Sequence, residues 1–279
     1  MACAEQKFGV DPTVHYDQGS YVGVTEPITF TDTPYAANTA TGVSSISSLL
    51  GVFPAQEFVW YGLGKDDPYP YSGDCDPGRP AGVTAPQNLA SLPMTIEGTV
   101  TLHPRYFQKI AVCGSDERYY GSYVLQDATG GILVLRDSRI AEFDYGDRVR
   151  LRVRGVLKYF DTRAVLVYDQ EEILTSSASR EPIYYQRLTR NFVAADSGQV
   201  FRVRGRVIGE ATNQNFNEMK IQSLDAPGIE WLVSIDRELG TRGVSPKAGD
   251  ILEVTGPVLN SFGLRILVAS LGQMELVTP

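Results

Sequence analysis

The sequence predicts an all-β protein: two small five-stranded barrels in tandem, preceded by an irregular segment over residues 1–93. Three observations carry that expectation. Apolar and polar residues alternate through much of the chain from Met94 onward, the period of a half-buried strand. A set of glycines and Gly-Asp turns in residues 94–178 returns in residues 199–279. Composition agrees, with 27 Gly and 15 Tyr among 279 residues and few stretches built from strong helix formers.

Residues 1–93 are rich in Pro, Gly, Thr, Ser and Tyr and hold neither a strand nor a helix period for long. Ser44–Leu50 has room for one short helical turn, and Glu57–Leu63 for one apolar strand. Asp66–Pro86 is Pro, Gly and Asp turn chemistry throughout. Such a segment buries too little apolar surface to fold by itself. It is expected to act as an anchor and tether that packs on the first barrel.

In residues 94–178, Ile96, Val100 and Leu102 fall on one face of a first strand. Tyr119–Gln126 and Ile132–Leu135 flank the turn Asp127-Ala128-Thr129-Gly130-Gly131 and read as a hairpin. Gly146-Asp147 opens a strand with Val149, Leu151 and Val153 inward and Arg148, Arg150, Arg152 and Arg154 outward. Gly155 permits a kink, and Ala164–Tyr168 supplies a fifth strand. After a linker over residues 179–198 the grammar repeats: Gly98 corresponds to Gly205, Gly146-Asp147 to Gly249-Asp250, and Gly155 to Gly256. Ala164–Val167 corresponds to Arg265–Val268. A glycine inside a first strand marks the bend that lets one strand serve both sides of a barrel. From that glycine to the Gly-Asp turn is 48 residues in one copy and 44 in the other. Such similar spacing in two copies means tandem domains.

The string YVLQDATGGILVL followed by GDRVRLRVRG resembles the OB-type modules of bacterial secreted proteins, lipoproteins and extracellular nucleases. In those modules a QDxTGGI hairpin precedes a GDxVxVxG strand. The resemblance covers residues 94–175 well and 199–278 more loosely, where Gln222–Gly228 replaces the turn, and it leaves out residues 1–93. It implies a fold, because these glycines and aspartates serve turns rather than chemistry. It also implies a binding surface on the second and third strands and the nearby loops.

Charge narrows the possible ligands. The net charge is −8, and residues 1–93 hold most of it, with three basic residues against ten acidic ones. The remainder has 22 basic and 23 acidic residues, so no domain-wide basic footprint marks a general nucleic-acid binder. The outward rows Arg148/150/152/154 and Arg202/204/206 would stand about 7 Å apart along a strand face. They form either an anion-binding stripe or a polar exterior paired with Glu97, Asp169, Glu171 and Glu253. The near-neutral balance favours pairing. Tyr119 and Tyr123 share strand parity and could form a stacking platform, with Tyr106 and Phe107 in the preceding loop. The candidate ligand-binding residues are therefore Tyr106, Tyr119, Tyr123, Arg150 and Arg152. Tyr184-Tyr185 is expected to pack between the barrels.

No catalytic residue, metal site or cofactor is indicated. His15 and His103 have no ligand spacing. Asp66, Asp67, Asp74 and Asp76 do not match a calcium loop, and two Trp are too few for a sugar cleft. No apolar run approaches the roughly 18 residues of a membrane helix. Cys3, in Met-Ala-Cys-Ala-Glu-Gln, looks like the lipid-bearing residue of a mature bacterial lipoprotein, which leaves Cys75 and Cys113 as an even pair for a disulfide. The resulting expectation is a non-enzymatic, extracytoplasmic scaffold, held at a membrane through lipid on Cys3, that engages an envelope protein or polymer. The alternative is a single-stranded nucleic-acid or oligosaccharide-binding module serving a separate enzyme.

Overall fold

The computed structural model describes residues 28–53, 58–61, 84–88, 90–110, 117–135, 144–153, 155–159, 162–166, 171–175, 179–212, 217–235, 246–260 and 263–277. They form an all-β structure with one short α-helix among the described residues.

The N-terminal part begins with β1 (Phe30–Thr31), α1 (Ile46–Leu50), β2 (Phe58–Tyr61) and β3 (Thr84–Asn88). There follow β4 (Met94–Ile110), β5 (Glu117–Gln126), β6 (Gly131–Leu135), β7 (Arg148–Val153), β8 (Gly155–Tyr159), β9 (Thr162–Leu166) and β10 (Glu172–Ile173). The linker carries β11 (Ile183–Tyr184) and β12 (Gln186–Arg187). The C-terminal part comprises β13 (Val200–Thr212), β14 (Asn217–Ser223), β15 (Glu230–Ile235), β16 (Ile251–Asn260), β17 (Leu264–Val268) and β18 (Met274–Leu276).

Five of the C-terminal strands close on themselves. β13 pairs with β14, β14 with β15, β15 in parallel with β17, β17 with β16, and β16 returns to β13. That order, with its parallel third-to-fifth pairing, is the partly open Greek-key barrel of the OB fold. Alternation drives it: Val203, Val207, Ile221, Trp231, Val254 and Ile266 are all buried in one cluster. Gly205 sits where β13 is paired on both sides, to Ser223 and to Leu252. A Cβ there would come within 2.4 Å of the Gln222 carbonyl oxygen, so three strands can meet only around glycine.

The N-terminal sheet runs β10-β7-β4-β5-β6-β9-β8-β2-β3. Its middle repeats the neighbours of the barrel, with β7 on β4 and β8 on β9, whereas β16 does both tasks in the C-terminal part. Ile96, Val100, Leu125, Val134, Leu151 and Val165 make its core, and α1 adds Ile46 and Leu49. Ser45 caps α1 by accepting from the Ser48 N–H at 3.1 Å. The hairpin turn helps, since the Asp127 carboxylate accepts from the Ile46 N–H at 2.8 Å and Thr129 Oγ1 from Ser47 at 3.0 Å.

Two expectations change in detail. Within residues 1–93, the described parts contribute two strands to the sheet edge and a helix to the core, so they are built into the N-terminal part. The chain from His103 to Phe107 is strand rather than loop. β4 runs 17 residues, with register shifts between Val100 and Leu102, Leu102 and Tyr106, and Tyr106 and Phe107. Those irregularities accommodate Pro104, which has no N–H to offer a regular ladder.

The two parts meet through a small core of their own. Tyr145, Ile183, Tyr185 and Val200 are buried together, with Ile28 and Phe30 against them. The Arg202 guanidinium lies 3.9 Å from the Tyr185 ring centre and 5.6 Å from that of Phe30. Tyr145 donates to Gln273 Oε1 at 3.0 Å, and the Val200 N–H to Gln126 Oε1 at 3.1 Å. Tyr185 thus packs between the parts as expected, while the Tyr184 ring meets Tyr35 edge-on at 5.9 Å.

Candidate nucleic-acid interface

Because Val203 and Val207 point into the barrel, Arg202, Arg204, Arg206 and Ile208 point out along β13. Arg204, Arg206 and Ile208 are exposed, as is Lys220 on β14. Register brings them together: Arg206 faces Gln222, Gly209 faces Lys220, and Lys220 faces Leu232 on β15. The outer surface of the first three barrel strands therefore carries a cationic row with apolar spacers; Glu230 stands at its margin, and Glu218, on the same side of β14 as Lys220, is buried and paired with Arg265. Arg206 is steadied by a bond from Nη1 to the Gly249 carbonyl at 3.0 Å. Glu253 stands opposite Arg204 in the ladder, but its carboxylate goes to Arg202 at 3.4 Å and Arg187 at 3.8 Å. Among the described residues neither Arg204 nor Lys220 has an ion-pair partner. Both are held by the ladder and remain open to an external anion.

In the other arginine row, Arg148 and Arg150 are neutralised. Glu97, on β4 and buried, accepts from Arg150 Nε at 2.6 Å, Arg148 at 3.3 Å and Asn38 at 2.9 Å. Arg150 also reaches Glu172 at 2.9 Å, and Arg148 reaches Glu181 at 3.4 Å. Burial pushes the Glu97 carboxyl up, but its bonds from Arg150 and Asn38 outweigh this and hold it below the usual range. Asp196 behaves alike: burial is opposed by a two-pronged bond from Arg190 at 2.7 and 2.9 Å, and the net shift is downward. A cleft of about 320 Å³ lies over Glu97, with Tyr35, Thr99, Arg148 and Glu181 in its wall. Thr99 donates to Glu181 at 2.7 Å, and burial raises the Tyr35 phenol to about 12. The groups in this cleft bond to one another, as a structural network does.

The sequence-derived candidates distribute unevenly. Tyr123 belongs to the core: it is fully buried, and its hydroxyl donates to Glu171 Oε1 at 3.0 Å. A surface platform of Tyr119 and Tyr123 is thereby corrected, because the parity that pairs residues on one face does not say which face is inside. Tyr119 lies on β5 opposite Gln108, and Tyr106 on β4 opposite Ser122; their side chains lie outside the described residues. Arg150 is engaged as above. Arg152 is exposed opposite Thr95, with no ion-pair partner among the described residues. Expected pairing is found at Glu97 and Glu253; Glu171 accepts from Tyr123, and Asp169 lies outside the described residues.

The outer side of the N-terminal sheet is itself closed. Leu102, Val124, Leu133, Ala164 and Leu157 follow one another across β4-β5-β6-β9-β8. All are at most 1% exposed yet stand apart from the inner core. Sequence reasoning put the better binding face on this copy, and the structure puts an apolar band there. Arg204 and Arg206 stand out in the sequence as part of an outward row, but that Glu253 leaves Arg204 unpaired depends on where its side chain turns.

Cys3, Cys75, Cys113, His15 and the aspartates at 66, 67, 74 and 76 lie outside the described residues, as does the side chain of His103. Among the described residues no group of three or more His, Cys, Asp or Glu could hold a metal ion, and no helix is long and apolar enough to cross a membrane.

No protein-family model matches the chain, and no curated protein does either. Solved structures do. The Stn1–Ten1 complex of S. pombe is 14% identical at a TM-score of 0.24, over 29% of this chain and 59% of that one. Fission yeast Pot1 with single-stranded DNA is 12% identical at 0.29, over 67% of this chain and 83% of that one. The wild-type single-stranded DNA binding protein of Thermus aquaticus is 13% identical at 0.22, over 66% and 92%. At TM-scores this low, the fold assignment rests on the strand order and closure of β13–β17.

Proposed function

We propose that this chain is a non-enzymatic binding module for single-stranded nucleic acid, with the outer face of β13, β14 and β15 as its docking surface. One observation carries the reading: Arg204, Arg206 and Lys220 are exposed together on that face, and among the described residues Arg204 and Lys220 lack ion-pair partners. OB barrels present the second and third strands and adjoining loops to oligonucleotides and oligosaccharides. An open cationic row selects the anionic polymer of the two. With Ile208 and Leu232 rather than aromatic rings between the cations, contact falls on phosphates, and sequence preference is weak. We also propose that β7 and β8 are two halves of one strand, as β16 is continuous, so that the N-terminal sheet is a second barrel of the same kind.

Fluorescence anisotropy with a labelled single-stranded oligonucleotide at low salt tests this. Binding should saturate, weaken steeply with salt, and lose about 0.7 in log–log salt slope for each phosphate contact removed. The double variant Arg204→Glu/Arg206→Glu should abolish it. Absence of saturable binding by the parent chain would overturn the reading. A second reading, a scaffold in the cell envelope bearing lipid on Cys3, is supported by the Met1-Ala2-Cys3 context alone. Metabolic palmitate labelling of the native precursor checks it, and an unlabelled product removes it.

A further inference from the structure

A cationic row attracts a polyanion, but by itself it does not prefer a single strand. Duplex DNA carries one charge per about 1.7 Å of its axis, more densely than a single strand does, so cations alone bind the duplex at least as well. Preference for unpaired strands needs a group that reaches a base face, and in the duplex those faces are covered by stacking.

Within the described residues of β13, β14 and β15, Ile208 is the one large apolar side chain left exposed, at 40%. Its position comes from a break in the ladder. Val207 faces Ile221, and the next pair is Gly209 with Lys220, so Ile208 is an extra residue on β13. Two residues opposite one make a β-bulge, which re-aims a side chain. The residue before the bulge is also fixed from its other side. The Val207 N–H donates to the Asp250 carbonyl and the Gly249 N–H to the Val207 carbonyl, both at 2.8 Å. A Cβ on Gly209 would meet nothing within 4 Å, so the space beside Ile208 is open. Arg206 stands two residues earlier on the same strand, and Lys220 stands opposite the bulge. An isolated exposed apolar residue is ordinary on a protein surface. This one is held out by a bulge, between two cations, on the face that carries the row.

We propose that Ile208 is the residue by which this face tells unpaired from paired strands, packing on an open base while Arg206 and Lys220 take phosphates on either side. The inference rests on strand binding at this face, as proposed above. Phosphate contacts carry the affinity, and Ile208 carries the discrimination. A duplex must first be unstacked to receive such a wedge, at a cost of a few kcal/mol per step, whereas an unpaired base needs little rearrangement.

Fluorescence anisotropy of the full chain, with a labelled single strand and the duplex of the same sequence at one salt concentration, tests the proposal. The parent chain should favour the single strand. Ile208→Ser should weaken single-strand binding by about fivefold or more, the order expected for returning one or two methylene groups to water. Duplex affinity and the salt slope should stay as they were, because no phosphate contact is lost. Ile208→Phe should tighten the single strand alone, since a ring offers a larger stacking face; if Ile208→Ser misfolds, this variant decides. A single strand carrying 2-aminopurine should change its fluorescence on binding the parent chain and change it less with Ile208→Ser. The two readings fail differently. If the parent chain binds neither strand form, the cationic face fails and this inference with it. If Arg204→Glu/Arg206→Glu abolishes binding but Ile208→Ser leaves the ratio of single-strand to duplex affinity unchanged, the role of Ile208 alone is overturned. Equal losses on both strand forms overturn it as well.

Discussion

The N-terminal sheet and the C-terminal barrel share several strand pairings and each carries a row of arginines, yet they differ in where their carboxylates sit. On the N-terminal side Glu97 lies on the neighbouring strand β4, opposite Arg150 itself, and Glu181 and Glu172 close around Arg148 and Arg150. On the C-terminal side Glu253 spends its oxygens on Arg202 and Arg187, leaving Arg204 outside the pair. The N-terminal outer face is also apolar and buried, whereas the barrel's is cationic and open. Related strand pairings thus accompany a structural wall in the N-terminal sheet and a candidate ligand surface in the barrel. Charge pairing, more than fold, separates them.

The comparison breaks most severely at the joint between the regions. Gly198→Val should cost more than about 3 kcal/mol, because the side chain meets the Gly131 backbone and the φ is strained; chemical denaturation checks it, and a near-neutral result would mean that the two backbones can part freely. Next comes Glu97→Gln, which removes the anion shared by Arg148 and Arg150 from a buried position and should lower stability by about 1–3 kcal/mol. Arg204→Ala should do the reverse. It should leave stability within about 0.5 kcal/mol while weakening oligonucleotide binding, measured by anisotropy. If both variants destabilise alike, the distinction between wall and surface fails.

Titration gives a smaller effect of known sign. Glu97 and Asp196 have folded values below their unfolded ones, so their contribution is fully present above the unfolded values of about 4 and lost as pH falls through the depressed ones. Tyr35 acts at the other end: its value rises from 10.0 to about 12, so the unfolded chain ionises first and stability drops as pH climbs between them. Denaturation midpoints across acid and alkaline series check both limbs. Glu97→Gln should flatten the acid limb, and an unchanged limb would show that Glu97 does not titrate in folding. Tyr123→Phe is expected to cost about 1 kcal/mol for the bond to Glu171, with oligonucleotide affinity unaltered. A clear loss of affinity there would restore Tyr123 to the ligand surface.

Much of the barrel could be read from the chain. Alternation at Val203 and Val207, the glycine at 205 and the Gly249-Asp250 turn are local signals, because a strand's faces and its bends are set by neighbours two residues away. The short helix near residues 44–50 and the strand near 57–63 were also legible, and both occur, as Ile46–Leu50 and Phe58–Tyr61. The turn at Asp127 was legible as a turn, but not as the cap of a helix 81 residues earlier. The candidate site was less accessible. Parity put Tyr119 and Tyr123 together without saying that Tyr123 faces the core, and a balanced domain charge hid an unbalanced patch.

What the sequence alone determined is the period, the turns and the repeat: an all-β chain in which the same strand grammar occurs twice. Those properties depend on steric preferences and apolar spacing within a few residues. Tertiary structure decided which arginines are open, since an ion pair needs two charges within about 4 Å whatever their separation in the chain. It also decided that Gly131 and Gly198 touch at the joint between the parts. No local pattern encodes that meeting, because it arises from two segments brought together only when both parts have folded.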